Sequence, residues 1–547
     1  MIADVLIVGS GASAVHAACP LVAAGYSVRM LDFGNEDREY APLIPDRSFE
    51  EIRRTDRNQF RYFLGTHYEG IALGPVRSGP QLTPPRQYVT KDTDELTSTL
   101  SEEFFPLQSL AVGGLASAWG AGVFPFTEED LTDFPISLKE LATHYDAVAE
   151  RIGVSGQRDD LLPFYRDCAS MLPPLLNDAN AQTILDRYAH RRAQCHAAGI
   201  FIGQPRVAAL SRRYRGRGPE RYLNMSFWGD LDRSVYRPRY TLAELQACPN
   251  FQYHRPLLVE RFREQPDGVV EATGINPQTG GTESHRGRKL VLAAGVLGTT
   301  RIVLRSLNRY GAFVPLLANP YTYVPMLNLN MLGRTPSGPK HSLVQLCVVS
   351  APRRAAQPLV HAHVHSYQSL LNFKLAKEFP LPYSASLRLA KWLVPCLAIL
   401  AIDHEDRPGP GKYCRLQRGD AGGPDQLEIK YRLPDDLVRQ QRRRESVLLR
   451  EFLRFGCIPL RRIRPGYAAS VHYGGTFPMT QSDKELTVDP SCRLRGTRSI
   501  YLADGSVFPH LPAKGLTFTM MANANRIGTH LCHILKDPCC ELSSASV

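Results

Sequence analysis

The sequence lacks the cysteine patterns that hold metal ions or cross-link small domains. Its 12 cysteines are spread singly from Cys19 to Cys532, and only Cys539 and Cys540 are adjacent. No Cys-x-x-Cys pair occurs, and isolated cysteines in a long chain are typical of reduced thiols in a protein core. The sequence therefore predicts neither a zinc site nor a disulfide scaffold, and it favours a cytoplasmic location.

Long apolar runs are absent as well. The stretch from Trp392 to Ile402 has 11 residues without a charge, whereas a helix that spans a membrane needs about 20. Pro395 interrupts this stretch, and we expect Leu397 to Ile402 to form a strand. Contact of Phe373, Trp392 and neighbouring basic residues with a membrane surface is the less favoured alternative. The N-terminus has no basic leader, so no signal peptide is predicted.

The composition excludes a disordered chain and gives no sign of a nucleic-acid partner. Of the 547 residues, 43% are hydrophobic and 22% are charged, as in ordinary globular proteins. The formal net charge is +12, but the lysines and arginines are scattered without the basic and aromatic pattern of a nucleic-acid module. We interpret the charge as an aid to solubility and to mild steering of anions. The length predicts two or more domains.

The N-terminal stretch has the order of a dinucleotide site. An apolar run from Val5 to Val8 predicts a buried parallel strand, and a second strand from Ser27 to Leu31 ends at an acid. The intervening glycines allow a tight turn, and the following helix points its N-terminal amides at a pyrophosphate. The acid can bind ribose hydroxyls. The residues predicted to bind the dinucleotide are Gly9, Gly11, Ala12, Ser13, Ala14 and Asp32.

A second glycine-rich stretch runs from Ser109 to Gly122 and reads SLAVGGLASAWGAG. A structural turn needs one or two glycines, so this density predicts close backbone approach to a ligand. Before it, the polar region from Asn35 to Asp92 has no long periodic element, and irregular stretches of this length are usually functional loops.

Several further elements are predicted from periodicity. We expect helices from Leu138 to Gly153, from Thr299 to Leu307 and from about Pro434 to Phe455, and mostly helical structure from Leu161 to Ala198. We also expect a hairpin of Leu257–Phe262 with Val269–Ala272, and a buried strand from Lys289 to Gly295.

Three histidines alternate along the chain at His361, His363 and His365, so they share one face of a predicted strand. Because no fourth ligand is evident, we interpret them as imidazoles that lie at the surface or line a cleft, and we predict no metal site.

Motifs near the C-terminus complete the pattern. His472 opens the sequence HYGGT, and Tyr501 opens YLADGSVFP; LVLAAGVLGTTRIVLRS and DFPISLKELATHYDAVAERIGVSG lie upstream. With these motifs the chain resembles, over nearly its whole length, the glucose-methanol-choline (GMC) family of FAD-dependent oxidoreductases. The resemblance implies an α/β fold in which a discontinuous Rossmann-like FAD-binding domain joins an α+β substrate domain built on an antiparallel sheet. The predicted FAD-binding parts are residues 1–135, 206–310 and 471–537, with a mostly helical segment at 136–205, the substrate domain at 311–470 and a tail at 538–547.

The resemblance also implies roles for individual residues. The histidine of HxxGT lies over the flavin in the family, which makes His472 the expected base. Imidazole titrates close to neutral pH, so it can take a hydroxyl proton while a hydride leaves the same carbon for flavin N5. A final helix beginning at about Thr517 would point its positive end at the flavin. The remaining expected cofactor contacts are Gly113, Gly114, Ser117, Val259, Ala294, Asp504 and Gly505.

The chain departs from the family at the second catalytic position. The family usually has an asparagine or histidine there, whereas ungapped alignment places Gly515 at this point. Lys514 is the expected substitute, because an ammonium could stabilise a forming alkoxide, and His510 is an alternative. Ala118 replaces the histidine that some members use to attach FAD covalently, so we expect noncovalent FAD.

The favoured function is oxidation of a sugar or polyol, because the DFPIS stretch resembles that of sugar-oxidising members. Three alternatives stay open. The apolar residues around Trp392 leave room for a sterol or other hydrophobic alcohol, some family members are lyases, and Gly515 is compatible with a flavin-binding protein that has lost catalysis. The electron acceptor, whether oxygen, a quinone or a protein, is also left open.

Overall fold

The computed structural model describes residues 2–71, 82–168, 170–334, 338–351, 358–367, 380–419 and 423–536. The predicted tail, Phe373 and the Cys539–Cys540 pair lie outside these ranges. The strands are β1 (Ala3–Val8), β2 (Val28–Leu31), β3 (Thr99–Leu100), β4 (Ile200–Gly203), β5 (Phe251–His254), β6 (Leu258–Glu264), β7 (Val270–Ile275), β8 (Thr282–Leu292), β9 (Val314–Pro315), β10 (Leu317–Ala318), β11 (Tyr321–Asn328), β12 (Leu346–Ser350), β13 (Val360–Ser366), β14 (Leu397–Asp403), β15 (Lys412–Gln417), β16 (Gln426–Tyr431), β17 (Cys457–Pro459), β18 (Tyr473–Gly474) and β19 (Ile500–Leu502).

The α-helices of the described ranges are α1 (Ala12–Ala23), α2 (Phe49–Thr55), α3 (Phe60–Phe63), α4 (Thr93–Leu96), α5 (Leu138–Ile152), α6 (Ala179–His190), α7 (Arg192–Ala197), α8 (Pro238–Gln246), α9 (Val296–Ser306), α10 (Tyr383–Leu393), α11 (Asp435–Arg454) and α12 (Thr517–Lys536). The predicted helices at 138–153, 299–307 and 434–455 are therefore present with small shifts at their ends. The prediction of mostly helical structure from Leu161 to Ala198 is wrong for residues 165–168 and 170–178, which precede α6 without forming a helix.

A largely parallel sheet occupies the centre of the first domain. Its strands lie in the order β5-β2-β1-β8-β7-β6, and β19 also pairs with β8. One half of β8 pairs in parallel with β1 and β19, and the other half pairs antiparallel with β7. Because these strands come from both ends and the middle of the chain, the predicted discontinuous Rossmann-like fold is confirmed.

Small residues let helices α1 and α12 pack closely against each other beside this sheet. A Cβ atom at Gly528 of α12 would overlap the carbonyl oxygen of Ala17 in α1, so the two backbones touch. Helix α5 packs beside them, and the Tyr145 hydroxyl lies 2.7 Å from Thr519 Oγ1. Helix α5 begins at a capping box of Ser137 and Glu140, which satisfies its first amides.

A six-stranded antiparallel sheet with the order β17-β11-β14-β13-β12-β4 forms the second domain. One face of the sheet packs on α6 and α11. Its alternate apolar residues, which include Val324, Val348, Val364 and Leu400, contact a cluster that contains Ile184 of α6 and Phe452 of α11. The opposite face carries the alternating histidines of β13. Strand β4 comes from the segment at 136–205, so this sheet includes a strand from outside the predicted boundaries of 311–470.

Two smaller sheets join the domains. Strands β3, β16, β15 and β9 form one of them, and β10 pairs with β18 in the other. The second pairing places the start of the HYGGT motif beside Leu317 and Ala318. In the parts of the chain that the structure describes, no helix has both the length and the apolar content needed to cross a membrane.

Gly9→Ala tests whether the end of β1 requires a bare backbone. Gly9 has φ +97°, and a Cβ there would lie 2.5 Å from the Ala293 carbonyl oxygen. Gly25→Ala is the matched control, because Gly25 has φ +88° with no heavy atom within 4 Å of an added Cβ. We expect about 1–2 kcal/mol of destabilisation at Gly25 from the left-handed conformation, and about 1–3 kcal/mol more at Gly9 from overpacking. Urea unfolding of both variants measures this difference, and equal losses would contradict it.

Candidate active site

The turn between β1 and α1 forms one end of a cradle. Gly11 is the N-cap of α1 and provides no side-chain hydrogen bond to the helix. The amides of the first turn, at Ala12, Ser13 and Ala14, therefore have no capping side chain. Because a helix N-terminus carries a partial positive charge, this end of α1 suits a phosphate group.

The glycine-rich stretch packs directly on this turn. Gly113 N donates a 3.0 Å hydrogen bond to Ser10 Oγ, and a Cβ at Gly114 would lie 3.4 Å from Gly11 Cα. The Ser117 hydroxyl donates to the Val112 carbonyl at 2.7 Å, so it holds the turn of the stretch closed. The structure thus brings the two predicted glycine motifs together.

Asp32 lies at the end of β2 beside the same turn. Its Oδ2 accepts hydrogen bonds from Ser10 Oγ and from the Tyr253 hydroxyl, the latter at 2.7 Å. Burial raises the pKa of Asp32 to about 6, although these donors oppose the rise. Sequence reasoning missed Tyr253, because only the pairing of β5 with β2 brings its hydroxyl to this carboxyl group.

Asp504 joins three motifs that are far apart in the sequence. Its carboxylate accepts hydrogen bonds from Thr299 Oγ1 at 2.5 Å and from Ser506 N at 3.0 Å. Gly475 N donates to the Gly505 carbonyl at 3.1 Å, which fastens HYGGT to the aspartate segment. Burial raises the pKa of Asp504. This carboxyl group therefore ties α9 to the C-terminal motifs.

The imidazole of His472 faces residue 515. A Cβ built at Gly515 would lie 3.5 Å from both Cε1 and Nε2 of His472. Burial lowers the pKa of His472 to about 4, yet the residue is only half-buried, as expected of a side chain that lines a cleft. Its Nδ1 has no hydrogen-bond partner among the residues that the structure describes. The glycine found by alignment thus lies where a second side chain would meet the base.

The two substitutes proposed for that missing side chain both have carboxylate partners. Lys514 is buried, and its ammonium forms an ion pair with Asp130. The same Lys514 Nζ lies 5.7 Å from the centroid of the Tyr165 ring. Burial lowers the pKa of Lys514. His510 is also buried, and its Nδ1 lies 3.3 Å from Asp133 Oδ2. The prediction that Lys514 acts in catalysis stays a prediction, but the structure gives its ammonium a structural partner.

The other expected cofactor contacts are placed as follows. Val259 lies in β6, where a Cβ at the facing Gly274 would come within 2.8 Å of Val259 Cα. Ala294 follows the end of β8, and Thr517 begins α12. Their roles stay predictions.

The histidine-bearing face of the antiparallel sheet lies beside His472. The ring of Phe124 stacks on His363 with centroids 5.1 Å apart and meets the edge of His361 at 4.7 Å. The same Phe124 ring would be 3.5 Å from a Cβ at Gly515. His361 and His363 are buried, so they lie in the interior beside the cleft and not at the surface. Sequence reasoning missed Phe124 because nothing local to it indicates a ligand site.

Two groups of side chains in the described ranges have donor atoms close enough for a metal ion. In the first, Cys347, His361 and His363 offer ligand atoms within 4.8 Å of one another. Tyr165 hydrogen-bonds to His361 Nε2, and burial raises the pKa of the Cys347 thiol, which disfavours the thiolate that a metal needs. In the second, the donor atoms belong to His254, Glu283 and His285, all half-buried. The expectation of no metal stays a prediction.

Several known proteins are similar to this chain. Residues 460–524 match the family model described as GMC oxidoreductase. Paromamine 6'-oxidase of Streptomyces fradiae is 23% identical over 555 residues, which cover 96% of this chain and 90% of that protein. 6'''-Hydroxyparomomycin C oxidase of Streptomyces lividus is 24% identical over 565 residues, which cover 96% and 92%.

Among solved structures, pyridoxine 4-oxidase from Mesorbium loti shares the fold. The TM-score is 0.58 at 14% identity, and the match covers 97% of this chain and 99% of that one. The predicted resemblance to the GMC oxidoreductases is therefore confirmed.

Gly515→Ala tests the room beside the His472 ring. An added Cβ would make ordinary 3.5 Å contacts with His472 and Phe124, so we expect a stability change below about 1 kcal/mol. Gly505→Ala is the control, because its Cβ would lie 2.7 Å from the Tyr473 carbonyl oxygen, and we expect a loss of about 1–3 kcal/mol. Neither glycine has a positive φ, so backbone strain does not confuse the comparison. If thermal unfolding showed Gly515→Ala to be the worse variant, the placement of residue 515 would be wrong.

Proposed function

We propose that this GMC-type oxidoreductase, which acts on CH–OH groups, binds FAD noncovalently and oxidises a hydroxyl group of a sugar or polyol to a carbonyl. The observation that carries this proposal is the imidazole of His472, which is unprotonated at neutral pH and lines a cleft flanked by the bare backbone of Gly515. The cradle of Gly9, Gly11 and Gly114 at the end of the parallel sheet supports the binding of a dinucleotide.

The residues of the cradle fit FAD. The uncapped start of α1 suits its pyrophosphate, and Gly114, which has φ +58° and lies against Gly11, keeps the backbone bare beside it. Ala118 offers no nucleophilic side chain for a covalent link to the flavin, which supports noncovalent binding. When bound, FAD supplies a hydride acceptor at N5 of its flavin ring.

The residues around His472 favour proton removal from a substrate hydroxyl. Nε2 borders the space over Gly515, and we assign to this atom the acceptance of the hydroxyl proton. Because burial holds the pKa at about 4, the imidazole is in its neutral, proton-accepting form above that pH. Gly474 and Gly475 let the following backbone pack closely, because an added Cβ would lie 3.0 Å from the Gly505 carbonyl oxygen and 2.6 Å from Leu317 Cδ1 respectively.

The polar face of the antiparallel sheet supports a hydroxylated substrate over a sterol. Three buried atoms on this face, His361 Nδ1, His363 Nε2 and Asp403 Oδ1, have no hydrogen-bond partner within the described ranges. A sterol would leave these groups unsatisfied, at a cost of about 1–3 kcal/mol each, whereas sugar hydroxyls can pair with them. The names of the two Streptomyces oxidases also support a sugar-like alcohol.

His472→Gln tests the assigned base. We expect flavin reduction by an active sugar or polyol to slow by about 10²–10⁴-fold, because the proton acceptor is lost, while FAD stays bound. His341→Gln is the matched control, since it also removes a buried imidazole, but one that lies beside Gln345. Anaerobic stopped-flow absorbance across sugars, polyols and sterols measures the rates. Equal rates in wild type and His472→Gln would overturn the mechanism, and product formation without flavin bleaching would indicate a lyase.

The pH dependence of the same reaction provides a second test. A histidine in water titrates near pH 6.5, whereas burial lowers the pKa of His472 to about 4. Since the deprotonated ring is the active form, kcat/KM should stay nearly constant from pH 7.5 down to about 5.5 and fall only below that. An acid limb centred near pH 6.5 that disappears in His472→Gln would show that burial does not lower this pKa.

Acid precipitation tests the mode of FAD binding. We expect trichloroacetic acid to release all of the yellow chromophore into the supernatant, because no covalent bond retains it. Mass spectrometry of the pellet checks this result. A flavin mass attached to the chain would contradict the proposal.

A further inference from the structure

Asp403 is a buried carboxyl group with an unused oxygen. It ends β14, and in the sheet it lies opposite His361 of β13 and Tyr321 of β11. The residue is 3% exposed, and its Oδ1 has no hydrogen-bond partner among the described residues. Its Oδ2 lies 3.8 Å from His363 Nδ1, which is too long for a hydrogen bond.

Other buried carboxylates of this region have basic partners. Asp130 pairs with Lys514, Asp406 with Lys412, and Glu445 with Arg464 at 3.3 Å. Buried carboxylates are normally paired in this way, because an isolated charge in the interior is costly. No lysine or arginine of the described ranges lies within 4.0 Å of Asp403, so the structure gives it no cation of its own.

The unused oxygen lies on the face of the sheet that borders the His472 cleft. Side chains alternate along a strand, so Asp403 shares its face with His361 and not with the apolar residues that meet α6 and α11. Tyr321 and Tyr323 of the adjacent strand are only half-buried on this face, so the face is not fully covered there.

A short hydrogen-bonded link holds Asp403 close to the base. The carbonyl of the next residue, His404, accepts a 2.8 Å hydrogen bond from Asn319 Nδ2, and Asn319 N donates to the His472 carbonyl at 3.3 Å. The end of β14 and the HYGGT motif are therefore fixed to one asparagine.

We propose that Asp403 is a cation subsite that binds a protonated amino group of the substrate, which makes an amino sugar or amino polyol the substrate class. This inference rests on the function proposed above and specifies its substrate. A hydroxyl group could satisfy the hydrogen bond of Asp403, but only an ammonium group supplies both hydrogen-bond donors and the opposite charge that Asp130, Asp406 and Glu445 have.

The protonation behaviour of Asp403 agrees with this role. Burial raises its pKa to about 8, so without a cation the carboxyl group is mostly protonated at neutral pH. A neighbouring ammonium favours the ionised form. Binding of an amine at pH 7 should therefore release a proton, whereas binding of a neutral sugar should not.

The experiment uses the FAD-loaded enzyme and three matched probes: D-glucosamine, N-acetyl-D-glucosamine and D-glucose. Calorimetry gives the Kd of each probe and, from buffers of different ionisation enthalpy, the protons released. Anaerobic flavin reduction gives the rates. The variants are Asp403→Asn, Asp403→Glu and, as a control for net charge, Asp435→Asn at the exposed start of α11.

We expect wild type to bind D-glucosamine at least 10-fold more tightly than the two neutral probes and with proton release. Asp403→Asn should remove this preference, Asp403→Glu should retain part of it, and Asp435→Asn should leave it unchanged. Equal Kd values for the three probes in wild type, or a preference that survives in Asp403→Asn, would overturn the cation subsite. If D-glucose reduces the flavin and no probe with an amine is preferred, the cation subsite is refuted and the proposed function stands. If the amine is bound selectively but no sugar or polyol reduces the flavin, the proposed function is refuted and the cation subsite stands.

Discussion

The architecture depends on close backbone contact between segments from the two ends and the middle of the chain. Gly9 fits against the carbonyl of Ala293, and Gly528 in the last helix fits against the first helix, because neither glycine carries a side chain. These contacts hold β1 beside β8 and bring the start of α1 against the glycine-rich stretch. Asp504 then accepts a hydrogen bond from Thr299 of α9, and the carbonyl of the next residue, Gly505, accepts one from Gly475 of HYGGT, so the position of His472 follows from the packing of the parallel sheet.

Sequence patterns predicted the local elements of this arrangement well. The β1–α1–β2 unit, the capped helix before Gly153 and the β6–β7 hairpin depend on turn residues and periodicity within short windows, which a sequence displays directly. The position of Gly515 was also predictable, because the chain aligns with the family motifs without a gap between the aspartate segment and residue 515. Strand β4 was missed because its partner β12 lies more than 100 residues away and no local signal distinguishes it.

The residues around the base were harder to predict. Tyr253, Phe124 and Asp403 belong to the candidate site because of contacts with residues in other strands or loops. An isolated tyrosine, phenylalanine or aspartate in the sequence gives no local signal of such contacts. The alternating histidines were found, but the choice between surface and interior depends on which sheet face meets the first domain. The catalytic role expected of Lys514 from its place in the motif stays a prediction, and its pairing with Asp130, 384 residues earlier, has no signal in the local sequence.

The interleaving of the two sheets has a consequence for how the chain assembles on the ribosome. Strand β19, at residues 500–502, completes the parallel sheet beside β8, and β4 precedes every other strand of the antiparallel sheet in the sequence. Neither sheet can close until nearly all of the polypeptide has emerged, so most stabilising contacts form between distant segments and form late. The nascent chain must keep its apolar strands apart during that interval, and we expect cofactor capture to follow synthesis of the last helix.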